Sequence, residues 1–97
     1  MTWALSRKAG EDLIGIWVDG KDRFGPRKAG AYQDSLAATF DLLARLPELA
    51  WECTELVPPL RVHPSGPHLV LTQLRANGAT FVVRIRHRRE DWVSHPI

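Results

Sequence analysis

The sequence predicts an α+β fold of order β-α-α-β-β-β, an antiparallel sheet packed on a helical hairpin. Three observations predict it: two successive stretches with apolar residues at helical spacing, a Gly25-Pro26 break between them, and two β-rich runs joined through Asn77-Gly78. With 97 residues the chain is read as a single domain spanning 1–97, because half of it would be too small to enclose a core.

Taken in order, Trp3-Ala4-Leu5 reads as a short first strand. Ser6 can cap a helix over roughly 7–24, whose stripe is Ala9, Leu13, Ile16, Trp17 and Phe24. Gly10, Gly15 and Gly20 weaken that helix intrinsically, so packing of its Trp17 face must hold it. Gly25-Pro26 closes it and opens a second, which runs to about Arg45 with Ala29, Tyr32, Leu36, Phe40 and Leu43 on one face. Pro47 blocks continuation. A loop containing Pro58-Pro59 leads to the alternating segment Leu60-Arg61-Val62-His63, then Pro64-Ser65-Gly66-Pro67 reads as a turn. The runs His68–Arg75 and Thr80–His87 complete the sheet.

A two-residue turn at Asn77-Gly78 would pair Ala76 with Ala79, Leu74 with Phe81, Thr72 with Val83 and Val70 with Ile85. That face is apolar and is expected to lie on the helices; a bulge near the turn would shift the register. The opposite face would present Leu69, Leu71 and Gln73 against Arg86, Arg84 and Val82, a mixed apolar and basic surface suited to a partner.

Composition narrows the function. Cys53 is the single cysteine, so an intramolecular disulfide or a CxxC site is excluded, and a reducing cytoplasm fits. No apolar run is long enough for a bilayer, and acidic residues come too early for a secretory leader, so no membrane role and a cytoplasmic location are expected. Residues 1–59 hold seven Lys/Arg against nine Asp/Glu, whereas 60–97 hold six Arg against Glu90 and Asp91. This +4 segment favours an acidic partner, whether nucleic acid, the acidic surface of a nucleic-acid enzyme or an acidic peptide.

Gly20 to Gly25 has phosphate-loop glycine spacing, but Pro26 stands where the lysine belongs. His63, His68, His87 and His95 lack metal-ligand spacing, and no metal or cofactor is expected. Cys53, beside Trp51 in a loop, carries no sign of activation. The densest candidate is the basic run Arg84, Arg86, Arg88 and Arg89, flanked by His87 and followed by Trp92, because charge steers an acidic target and an aromatic ring adds contact area.

The chain also resembles a family. Ala4-Leu5-Ser6 leading into Asp12-Leu13 and Ile16-Trp17, Leu42-Leu43 before Pro47-Glu48-Leu49, Leu60-Arg61 followed by Pro64, Gly66 and His68, and Val83-Arg84-Ile85 with His87, Arg89 and Asp91 are similar to the landmarks of ParE toxins in the RelE/ParE superfamily, over about residues 4 to 92. The resemblance implies the β-α-α-β-β-β fold, a ParD-like antitoxin as partner and DNA gyrase as target, with DNA touched only through the antitoxin and no catalytic residues. On this reading Arg61, His63, Leu69, Leu71, Arg84, Arg86, His87, Arg88, Arg89 and Trp92 would bind target or antitoxin. Arg86 and Arg88 stand where ParE relatives usually have an aliphatic residue and a glycine. The alternatives are a RelE-like ribosome-dependent mRNA endoribonuclease, in which His87 with Arg84 or Arg61 would supply base and cation, and a non-toxic relative that only binds antitoxin.

Overall fold

The computed structural model describes residues 2–56 and 59–97, so Pro58 lies outside the described residues. Ser6 sits in extended backbone and its Oγ accepts the Ala9 amide at 2.9 Å, which starts helix α1 (Arg7–Phe24) as expected. Helix α2 (Pro26–Arg45) follows across Gly25, and the Leu46 amide closes it on the Leu42 carbonyl. A single 3₁₀ turn, Pro47–Leu49, carries the chain to the sheet.

Five strands form one sheet in the order β1-β5-β4-β3-β2, namely β1 (Trp3–Leu5), β2 (Trp51–Cys53), β3 (Leu60–Ser65), β4 (His68–Leu74) and β5 (Thr80–His87). The α+β class and the strand-helix-helix-strand order stand, with two corrections. The sheet is mixed, because β1 runs parallel to β5, and Trp51–Cys53 is an edge strand paired with Leu60–Val62 rather than loop. No described helix is long and apolar enough to cross a membrane.

The last hairpin also departs from the expected register. The Gly78 amide donates to the Arg75 carbonyl at 2.9 Å, and the Arg75 amide to the Ala79 carbonyl, so the loop is Ala76-Asn77-Gly78 and not two residues. Gly78 takes φ 85°, a left-handed conformation that a three-residue hairpin loop needs at this position. Leu74 consequently pairs with Thr80 and Thr72 with Val82. Val83 is then the extra residue of a bulge, after which Leu71 pairs with Arg84, Val70 with Ile85 and Leu69 with Arg86, as the sequence suggested.

This shift changes which side chains meet the helices. Val82 and Thr80, not Val83 and Phe81, face α2, and the Thr80 hydroxyl donates to the Leu43 carbonyl at 3.2 Å. The helix-side core joins Ala9, Leu36, Phe40 and Leu43 to Val70, Val82 and Ile85. Trp3 pins β1 to α2 by stacking edge-on against Phe40 and donating from Nε1 to Asp41 at 2.7 Å. Phe24, expected on the buried stripe of α1, is 65% exposed.

The sheet's other face is covered by its own chain, which overturns the expected open docking face. Leu69 and Leu71 are buried there with Leu60 and Val62, beneath Leu56 from the loop after β2 and Trp92 from the segment after β5. Cys53 and Val83 pack against the same cluster. The uncovered leucines that the pattern suggested would have exposed a large apolar area, and folding back two short segments removes it.

Candidate functional site

Strand β1 ends at Leu5, leaving the far half of β5 without a neighbour on that side. Helix α1 supplies one. The Ser6 amide donates to the Val82 carbonyl and the Ser6 hydroxyl to the Val83 carbonyl at 2.6 Å, so the bulge is tied to the helix cap. Nearly two turns further on, Asp12 accepts the Ile85 amide at 3.0 Å and two Arg84 nitrogens, Nε at 2.7 Å and Nη2 at 2.9 Å. This bidentate pair is largely sequestered, and the hydrogen bonds to Asp12 push the Arg84 pKa further above its ordinary value against the opposing effect of burial. Arg84 is therefore a brace between α1 and β5, not the free cation expected on an open face.

Arg86 is committed as well. Its Nη2 donates to Glu90 at 3.0 Å, and the same carboxylate accepts the His87 amide at 2.7 Å, closing the turn after β5. Its side chain is 12% exposed and its buried Nε has no hydrogen-bond partner among the described residues. Arg61 is held at the other end of the sheet by the Ala50 carbonyl and Glu52, and His63 lies 3.4 Å from the Leu49 carbonyl. Because Arg61 pairs with Thr72 and His87 with His68, four residues of β4 separate them. At roughly 3.3 Å per residue that is about 13 Å along the strand, so a joint base and cation from His87 and Arg61 is not assembled.

Of the sequence-selected arginines, Arg88 and Arg89 remain. Both are exposed in the turn after β5, beside half-buried His87 and Trp92, and neither has a carboxylate partner among the described residues. The structure thus gathers His87, Arg88, Arg89 and Trp92 at the open end of β5 and removes Leu69, Leu71, Arg84 and Arg86 to supporting positions.

The same end opens into a cleft of about 850 Å³ between the helical hairpin and the ends of β4 and β5. Tyr32, His68 and His87 line it, a cluster the sequence reading did not single out. The Tyr32 hydroxyl donates to the Ser65 carbonyl at 2.8 Å and lies 2.8 Å from His68 Nδ1. Gly66 makes room: a Cβ there would sit 3.2 Å from the Tyr32 ring, and its φ of 54° is one that L side chains rarely adopt. His68 and His87 are cross-strand partners, their rings edge-to-face at 5.4 Å. Burial, then the neighbouring His87, lowers the His68 pKa, while burial raises that of Tyr32. Continuing the correct pairing of Val70 with Ile85 two residues outward would have brought these histidines together.

A mixed sheet braced by a helical hairpin, with Arg88 and Arg89 exposed at the open end of β5, is the α+β arrangement expected of a RelE/ParE-like toxin. The model of a family described as the ParE toxin of the type II toxin-antitoxin system parDE matches residues 4–92, so the chain belongs to the ParE toxin family. It is 29% identical over 93 residues to Toxin ParE1 of Caulobacter vibrioides, covering 96% of this chain and 95% of that one. A solved structure described as a chromosomal ParDE TA system from P. aeruginosa shares the fold, with TM-score 0.76 at 20% identity over 90% of this chain and 95% of that chain.

Proposed function

We propose that this ParE-family toxin works by binding, with DNA gyrase as target, and that a ParD-like antitoxin silences it by covering the surface the target needs. The observation carrying this reading is the division among the basic residues. Arg61, Arg84 and Arg86 are neutralised by carboxylates of the same chain, while Arg88 and Arg89, a few positions before Trp92, are exposed with no carboxylate partner among the described residues. Such guanidinium groups, with an indole close by in sequence, suit an acidic protein surface, giving steered approach and an aromatic anchor. An antitoxin tail has apolar surface to use nearby, since Ile14 and Val18 stand one turn apart on α1 and are 65% and 45% exposed. The protein acts in the cytoplasm, where both partners reside.

The test is direct. Purified toxin added to gyrase, ATP and relaxed DNA is expected to block supercoiling and trap a cleaved DNA complex. Unimpeded supercoiling at high toxin excess contradicts the target, and intact mRNA in a translating extract treated with the toxin separates this reading from a ribonuclease.

A further inference from the structure

The hydrogen bonds around His68 and His87 fix complementary tautomers. Tyr32 has one hydroxyl proton, and the Ser65 carbonyl, which can only accept, takes it; the 2.8 Å contact with His68 therefore requires His68 Nδ1 to be the donor. His68 Nε2 is then a bare acceptor. His87 is the reverse, because its Nδ1 accepts the Arg89 amide at 3.1 Å, which leaves the proton on Nε2. Neither Nε2 has a partner among the described residues, and both rings line the cleft.

The charges around them are unequal in a telling way. Each carboxylate lining the cleft already has a cation: Glu11 has Arg7, Asp12 has Arg84, Asp19 has Arg23 and Glu90 has Arg86. The lining cations Lys28, Arg88 and Arg89 have no carboxylate partner among the described residues. The site thus offers three free cations, one imidazole N–H and one imidazole lone pair. Phosphate oxygens satisfy the first four, while the lone pair of His68 repels an anionic oxygen and calls for a hydrogen-bond donor, which a ribose hydroxyl supplies. Phe24, exposed at the end of α1, adds an apolar ring on the same cleft, and the volume is that of a small-molecule pocket.

We propose that this cleft binds a ribonucleotide, its phosphate held by Lys28, Arg88, Arg89 and His87 Nε2–H, a ribose hydroxyl donating to His68 Nε2, and the base against Phe24. The site shares Arg88 and Arg89 with the surface proposed for gyrase, but it draws on Lys28, His68 and His87 as well, and its test is read on nucleotide binding without gyrase. Calorimetric titration of the full chain with a ribonucleoside 5′-monophosphate, its 2′,3′-dideoxy counterpart and inorganic phosphate reads each part. The ribonucleotide is expected to bind, the dideoxy form about five- to tenfold more weakly, as the loss of one hydrogen bond implies. Lys28→Gln, at an exposed position that leaves the fold intact, is expected to weaken all three. A short oligoribonucleotide that binds more tightly than the mononucleotide assigns the ligand to RNA, and one that does not assigns it to free nucleotide; either supports the site. Equal affinity for the dideoxy form, or for inorganic phosphate alone, overturns the proposal. So does silence at millimolar ribonucleotide, including the case in which an acidic peptide binds instead.

Discussion

At the scale of single residues, Asp12 does the most. It replaces a missing strand by accepting the Ile85 amide, and it neutralises Arg84 through two hydrogen bonds. Asp12→Ala leaves a largely sequestered guanidinium and a strand amide without partners, and is expected to cost about 2–3 kcal/mol in urea unfolding. Arg84→Ala, which removes the cation as well as its brace, is expected to cost less. His68 gives a pH signature with a definite sign. Its folded pKa lies below the ordinary 6.5, chiefly through burial. Above that value the ring is neutral in both states and contributes nothing. As pH falls below it, the unfolded chain takes the proton first, so stability declines until the folded pKa is passed. Unfolding free energies at pH 5 and pH 7.5 are expected to differ less in His68→Gln than in the unsubstituted protein; an equal difference in both contradicts the assignment.

At the scale of elements, the helices were legible because their punctuation is local. Ser6, Gly25-Pro26 and Pro47 mark all four ends, and both observed ranges match the reading. The sheet was legible only in part. Asn77-Gly78 announces a hairpin but serves a three-residue loop as readily as a two-residue one, and the choice moved Phe81 and Val83 to the outer face. The bulge at Val83 has causes far away in sequence, in the Ser6 hydroxyl and the Asp12 carboxylate. Edge strand β2 is three residues long, too short for an alternation to show. Gly78→Val should therefore act on the turn alone, through its φ of 85°, and is expected to lower stability by about 1–3 kcal/mol in thermal unfolding.

At the scale of the whole molecule, the sheet separates two apolar cores, one roofed by the helices and the other by Leu56 and Trp92. The pattern of β3 to β5 carries no sign of the two irregular segments that return to cover Leu69 and Leu71, so alternation alone places those residues on the surface. Leu71, fully buried in the second core, is expected to cost about 2–5 kcal/mol when changed to Ala, a loss that an open docking face would not produce. Closing that face leaves Arg88 and Arg89, at the end of β5, as the members of the sequence-selected basic run that have no carboxylate partner among the described residues. A titration of gyrase with the unsubstituted toxin and with Arg88→Glu/Arg89→Glu, both shown to be folded by circular dichroism, measures whether that end is the working surface. The account predicts that the double variant loses the trapped cleaved DNA complex at toxin concentrations where the parent is fully inhibitory. Undiminished potency of the variant would contradict it.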